Sequence, residues 1–410
     1  MKSPAAHKPA PWPRSSACPV CQARYQLSRS NLGHRTVCQK CGSAFHLLPA
    51  SEDSPTVVLI SAQDSLDIVP LVGRLWLDLR PGQIVSERYR VVCELGQGGL
   101  SRIYKVADLE RDKFPLALKL PLPSTLDRVA PKILIDEAAA WLKPAIHPNL
   151  VTCDHVEMIM NRPAIFMEYI DGADLSELTD EGDGPLYDGS AEEAAARLLD
   201  IFIQTARGLK YAHSLGLAHL DIKPRNVLVE KGGRALIGDY GPLIDRSSGG
   251  AGDEDNPEMS KAATRISGTR LMGTHQYLSP EAAEGQSGAG PGDDLWALSL
   301  TALECFMGRR SWEMGSVAGR ALNHYLADSP KIPISRPLAD FFHKALNLDP
   351  RARHLSAGEL EKDLSALYSG LTGRPYFRPS PAFTPDSPER RRLKALALKS
   401  MGRGDYLESA

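Results

Sequence analysis

An acid, a base and an amide stand close together at Asp221, Lys223 and Asn226, inside the run Ala218-His219-Leu220-Asp221-Ile222-Lys223-Pro224-Arg225-Asn226. Val227-Leu228-Val229 and Ala235-Leu236-Ile237 then read as two short strands around the turn-like Glu230-Lys231-Gly232-Gly233-Arg234. Such a hairpin returns the chain beside its start, so Asp239 is expected near Asn226. An Asp and an Asn placed together offer hard oxygen ligands, which suit Mg²⁺ rather than zinc. With Asp221 to orient a hydroxyl and Lys223 to neutralise phosphate charge, the group suits phosphoryl transfer.

Upstream, Arg88-Tyr89-Arg90-Val91-Val92 alternates as a strand does, runs into Gly96-Gln97-Gly98-Gly99-Leu100-Ser101, and is followed by Ile103-Tyr104-Lys105-Val106. Strand, glycine turn, strand differs from the strand, turn, helix of a dinucleotide fold. Glycines there let backbone N–H groups approach phosphates without an intervening side chain. Leu116–Leu120 is an apolar strand with one lysine, Lys119, which alone reads as a snorkelling side chain. Lys132–Leu142 has a helical period, with Ile133, Glu137 and Trp141 four apart, and Glu137 alone is a solvated helix acid. Ala164–Gly172 is a strand and a turn in which Met167 reads as core packing. Asp180–Ser190 is a loop, and Ala191–Leu215 is helical. Leu295–Met307 is apolar nearly all round, which predicts a buried helix with Asp293-Asp294 as its cap.

In this order Gly96, Lys119, Glu137, Asp221, Lys223, Asn226, Asp239, Glu281, Asp294 and Arg353 resemble the motifs of the bacterial eukaryotic-type serine/threonine protein kinases, over residues 81–370. The resemblance implies an α+β, two-lobed protein-kinase-like fold, with a β-rich N-lobe and a helical C-lobe. It implies ATP beneath Gly96, Gln97, Gly98, Gly99, Leu100 and Ser101, with Ile103 and Ala117 beside it. Lys119, paired with Glu137, would grip phosphate. Met167 falls at the gatekeeper position, and Glu168 and Ile170 would offer backbone groups to adenine. Asn226 and Asp239 would hold Mg²⁺, with Asp221, Lys223 and Asn226 as the catalytic group. His147-Pro148-Asn149-Leu150-Val151 resembles the family's turn and strand after the Glu137 helix. Thr274 is implied to contact Asp221 and Lys223, Asp294 to hold the catalytic loop from below, and Glu281 to pair with Arg353. Ser101, Ser279 and Ser299 depart from the usual glycine, alanine and glycine, and Leu220 stands where regulated kinases carry arginine. The implied activity is transfer of the ATP γ-phosphoryl group to protein Ser/Thr hydroxyls. The alternative is an ATP-binding pseudokinase or scaffold that presents its N-terminal module to a protein or nucleic-acid partner.

That module rests on cysteine spacing. Four of the seven cysteines form Cys18-Pro19-Val20-Cys21 and Cys38-Gln39-Lys40-Cys41, sixteen residues apart. Such spacing can deliver Cys18, Cys21, Cys38 and Cys41 to one structural Zn²⁺, against free thiols or redox chemistry as the other reading. Metal would supply much of the stability of so small a core. The segment resembles the zinc ribbons of bacterial regulatory proteins. Residues 1–48 contain seven Lys/Arg and no Asp or Glu, which suits an acidic protein or nucleic-acid partner or a merely solvated tail. The expected organisation is a disordered N-terminus over 1–16, a zinc ribbon over 17–48, a linker over 49–80, the kinase domain over 81–370 and a basic C-terminal tail over 371–410. In the tail Pro388–Met401 is a candidate basic helix, with membrane attachment, docking on the kinase or disorder as readings. No stretch has the secretory or membrane-spanning pattern, and the cysteine usage fits a reducing, cytoplasmic setting.

Overall fold

The structure is a computed structural model. It describes residues 79–98, 101–122, 125, 142, 146–159, 162–239, 275–284, 290–327 and 330–378, together with the backbone of five N-terminal strands and of residues 244–245. The N-terminal strands form two hairpins of the same plan. Strand β1 (Ser15–Ala17) pairs antiparallel with β2 (Arg24–Gln26), Ala17 opposite Arg24. Strand β3 (Arg35–Val37) pairs with β4 (Ala44–Pro49), Val37 opposite Ala44. Each CxxC therefore opens the six-residue connection of a hairpin, and the two hairpins are offset by 20 positions. Strand β5 (Val57–Ser61), expected within a linker, is the third strand of the second sheet and pairs with β4 along its length.

The β-rich part is one antiparallel sheet of six strands. These are β6 (Ile84–Val85), β7 (Tyr89–Gln97), β8 (Ser101–Asp108), β9 (Phe114–Pro121), β10 (Cys153–Ile159) and β11 (Arg162–Glu168), in the order β10-β11-β9-β8-β7-β6. Strand alternation sends Tyr89, Tyr104, Leu118 and Phe166 to a core on one face. It sends Ala117, Ile165 and Met167 to the other face, where they join the main core. Lys119 follows Ala117 by two and shares that second face.

The remaining elements are mainly helical. They are β12 (Gly172–Asp174), α1 (Leu175–Thr179), α2 (Ala191–Ser214), β13 (Leu217–Ala218), β14 (Val227–Glu230), β15 (Ala235–Ile237), β16 (Ile244–Asp245), α3 (Pro280–Ala283), α4 (Pro291–Met307), α5 (Gly315–Ala318), α6 (Leu322–Ala327), α7 (Arg336–Ala345) and α8 (Ala357–Thr372). A capping box starts α2: the Ser190 hydroxyl accepts from the Glu193 N–H at 3.2 Å and the Glu193 carboxylate accepts from the Ser190 N–H at 2.8 Å. Helix α4 is buried along its length, as its composition requires, and packs on α2. Its start differs from expectation. Pro291 takes the first helical position, and Asp293 and Asp294 lie inside the first turn rather than before it. That frees both carboxylates to reach neighbouring segments.

Candidate active site

The hairpin of β14 and β15 pairs Val227 with Ile237, and the Gly238 N–H donates to the Asn226 carbonyl at 2.9 Å. Asp239 thus returns beside Asn226, as the turn chemistry predicts. The Asn226 amide Nδ2 donates to the Asp221 carbonyl at 2.7 Å and to Asp221 Oδ2 at 3.0 Å. With its N–H₂ so committed, the amide has Oδ1 left as a hard oxygen ligand. Lys223 Nζ donates to the same Asp221 Oδ2 at 2.7 Å. Asp221 Oδ1 is buried and has no hydrogen-bond partner among the described residues. An acceptor held dry in this way waits for a donor, and an incoming hydroxyl supplies one.

Asp294 sets the height of this loop. Its side chain is fully buried, and its oxygens accept from the Leu220 N–H at 2.6 Å, from the His219 N–H at 2.8 Å and from His213 Nε2 at 2.8 Å. The neighbouring Asp293 takes the Ser279 hydroxyl at 2.5 Å and the Gly290 N–H at 2.9 Å, so one helical turn anchors two segments of the site. The His219 ring is buried, its Nε2 lies 3.0 Å from the Gly238 carbonyl, and its Nδ1 accepts the Asp221 N–H at 3.2 Å. Burial pulls its pKa below the ordinary value, although Asp294 and Asp221 pull the other way. A neutral ring protonated on Nε2 satisfies both bonds. Leu220 and Asp239 have φ of +61° and +50°, left-handed values that side chains rarely adopt. Two such residues flanking one site mark backbone held by its surroundings for a purpose.

Lys119 is buried, and its ammonium meets the Asp239 carboxylate directly. This contact joins the sheet to the segment just after the β14–β15 hairpin across 120 positions of sequence. Between β7 and β8 the Gly98 N–H closes the turn on the Ser101 carbonyl at 2.8 Å. A Cβ built on Gly96 would meet nothing within 4 Å among the described residues. Ala117 and Met167 face each other across β9 and β11 in the core, with Ile103 packed against it. The Glu168 N–H donates to the Thr152 carbonyl at 2.9 Å, at the end of β11. Ile170 follows, half-buried, just past the strand. The Arg353 guanidinium grips Glu281 with bonds of 2.6 and 3.0 Å and stacks 4.4 Å over the Trp296 ring, as its order in the chain predicts.

Gly99, Leu100, Glu137, Thr274, Tyr240 and Gly241 lie outside the described residues, as do Cys18, Cys21, Cys38 and Cys41, most of residues 240–274 and the 388–401 segment. Among the described residues no cluster of metal-ligating side chains and no helix long and apolar enough to cross a membrane occurs. Sequence reasoning missed His213 as a partner of Asp294, because a polar residue late in a helix carries no pattern of its own. It also missed the buried pair Asn149 and Gln204. Asn149 Nδ2 donates to Gln204 Oε1 at 3.2 Å and to the Ala235 carbonyl at 2.8 Å, and the Asn149 carbonyl accepts the Ile237 N–H at 3.0 Å. The His147-Pro148-Asn149 turn was the available signal.

Comparison with known proteins agrees with this geometry. The family described as protein kinase domain matches residues 89–363. The serine/threonine-protein kinase PknB of Mycolicibacterium smegmatis is 30% identical over 300 residues, covering 70% of this chain and 44% of that protein. The serine/threonine-protein kinase PrkC of Bacillus subtilis is 27% identical over 293 residues, covering 70% of this chain and 41% of that protein. The chain thus spans less than half the length of these curated relatives. The crystal structure of the Mycobacterium tuberculosis PknI kinase domain shares the fold, with a TM-score of 0.50 and 21% identity, covering 70% of this chain and 99% of that one.

Proposed function

Because the chain belongs to the protein kinase domain family, we propose that it transfers the γ-phosphoryl group of ATP to serine and threonine hydroxyls of proteins. The observation that carries this reading is Asp221, whose Oδ1 is buried and unpartnered while Oδ2 is held by Lys223 and Asn226. Asp221 Oδ1 accepts the substrate hydroxyl proton and aims its oxygen. Lys223 offsets charge on the transferring group, and the Asn226 amide fixes the Asp221 rotamer. Asp239 and Asn226 Oδ1 fit a Mg²⁺ ion, which when bound neutralises phosphate charge. Lys119 holds Asp239 and the nucleotide phosphates. Gly96–Ser101 covers those phosphates with backbone N–H groups. Ile103, Ala117 and Met167 enclose the adenine, and the Glu168 and Ile170 backbone groups read its edge.

The serine/threonine class, rather than tyrosine, follows from Lys223 two residues after Asp221 and from Thr274. The N-terminal module is a zinc ribbon with Cys18, Cys21, Cys38 and Cys41 as ligands. The equivalent place of each CxxC in two hairpins of one plan supports it, since paired strands fix the ends of each six-residue connection. The module then runs from about residue 15 to Ser61, because β5 belongs to its sheet. The basic composition of residues 1–48 suits an acidic protein or nucleic-acid partner, and reduced cysteines suit the cytoplasm.

Incubation with γ-labelled ATP and Mg²⁺ should label a Ser/Thr substrate or the chain itself, and Asp221→Asn should abolish the label. ATP binding without transfer by the folded wild type would favour a scaffold. Elemental analysis should find about one zinc per chain, lost on Cys38→Ser. Native protein free of metal would remove the ribbon.

A further inference from the structure

The chain continues past the family match, which ends at residue 363, and folds back on the outer face of α2. Asp200, Gln204 and Arg207 form a polar stripe there, spaced as neighbours on one helix face. Tyr376 Oη donates to Asp200 Oδ1 at 2.6 Å, and its ring packs edge-on against Tyr368 and under the Arg207 guanidinium. Arg378 pairs with Asp200 Oδ2 at 3.0 Å, donates to Gln204 Oε1 at 3.3 Å, and gives its own carbonyl to Arg207 at 2.9 Å. Phe377 between them is 89% exposed, so among the described residues the segment's side-chain anchors are Tyr376 and Arg378.

Gln204 relays that anchor inward. Its Oε1 also accepts the Ala235 N–H at 3.0 Å and Asn149 Nδ2, and its Nε2 donates to the Gly233 carbonyl at 3.0 Å. Gln204 is thus bonded on either side of Arg234, where the turn enters β15, and β15 ends two residues before Asp239. Arg378 Nη2 lies so close to this turn that a Cβ on Gly233 would stand 3.3 Å from it.

We propose that the Tyr376–Arg378 segment is a positioning latch: docked on Asp200 and Gln204, it fixes strand β15 and so the placement of the Asp239 carboxylate. The inference rests on the reading of Asp239 as a ligand of the Mg²⁺–nucleotide complex. Arg378 brings a positive charge to Gln204 when the tail is docked, and Gln204 bonds two backbone groups of one hairpin, the Gly233 carbonyl and the Ala235 N–H. A tail that is pulled away, by a partner or by a modification nearby, loosens the metal-binding strand without touching the active site.

The test compares full-length wild type with Arg378→Ala and Tyr376→Phe by amide exchange and by titration with Mg²⁺–ATP. Arg378→Ala should speed exchange of the Ala235–Asp239 amides about tenfold, the effect of losing one charge-assisted bond. It should weaken Mg²⁺–ATP binding by a like factor, while exchange in β8 and β9 stays as in the wild type. Arg378→Lys should recover part of both effects, and Lys231→Ala, at the exposed hairpin tip, should change neither. Exchange that is unchanged, or that rises equally across the domain, overturns the latch. So does unchanged nucleotide affinity in a chain whose wild type binds. If the wild type binds no Mg²⁺–ATP, the nucleotide reading fails and the exchange arm alone decides the latch.

Discussion

Single side chains in this protein set the reactive geometry through what they keep buried. Asp294 is the clearest case, because one carboxylate serves two backbone N–H groups and the His213 ring in a fully buried place. Asp294→Ala leaves those donors dry, and each costs on the order of 1–3 kcal/mol. The expected loss in denaturant stability is roughly 3–5 kcal/mol, with transfer activity lost at temperatures where the chain still folds. A loss below about 1 kcal/mol would mean that water reaches the loop. Two other buried histidines show how neighbours decide a titration. Burial lowers the His219 ring below 6.5, so its contribution to stability is present above 6.5 and is lost as pH falls towards the folded value. Burial also lowers His155, but the Asp154 and Glu157 carboxylates outweigh it and raise the ring above 6.5. Its contribution is therefore present below 6.5 and is lost as pH rises through the raised value. His155→Gln should cost more stability at pH 6 than at pH 9 in denaturant unfolding, and equal costs would contradict the charged ring.

Elements are where the sequence spoke most plainly. Tyr89 and Val91 turn inward and Arg90 and Val92 outward, so β7 was legible from alternation alone. The apolar run of α4 announced its burial in the same way. What periodicity does not encode is which element meets which. The pairing of β4 with β5 joins strands whose patterns are equally compatible with other partners, and the docking of Tyr376 and Arg378 uses polar contacts that leave no stripe of hydrophobic residues. Close approach is likewise hidden. Gly208 reads as a weak spot in α2, yet a Cβ there would stand 2.6 Å from the Asn149 carbonyl and 3.0 Å from Leu150. The helix needs glycine because the turn that feeds β10 crosses against its backbone. Helix propensity favours Gly208→Ala by roughly 1 kcal/mol, and the clash opposes it by about 1–3 kcal/mol. The expected result is net destabilisation and a displaced Asn149, visible as faster exchange of the Ile237 amide. A more stable variant would mean that the turn moves freely.

At the scale of the whole molecule, the site is a convergence of the sheet, the catalytic hairpin and α4, and its most informative departure from the family is one residue long. Arginine before the catalytic acid places a buried positive charge that an activation-segment phosphate neutralises, which orders that segment. Leu220 carries no charge, so no such neutralisation is expected here. The loop is instead held by Asp294 on the Leu220 and His219 N–H groups, by His219 on Gly238 and by Asn226 on Asp221, all of which are made without phosphate. The left-handed φ of Leu220 is thereby maintained from below. Phosphatase treatment should therefore leave the transfer rate unchanged, even though Ser260, Thr264, Ser267 and Thr269 lie in the segment between Asp239 and Thr274. A fall of about tenfold or more, reversed by rephosphorylation, would show that a phosphate is needed after all and that some other cation receives it. Leu220→Arg sharpens the test. If the charge is what creates dependence on phosphate, this variant should lose activity in the dephosphorylated form and regain it on phosphorylation, whereas the wild type responds to neither step. On that expectation control falls to contacts outside the activation segment, and the Tyr376–Arg378 segment docked on α2 and the N-terminal hairpins both lie outside residues 89–363, which the family model matches.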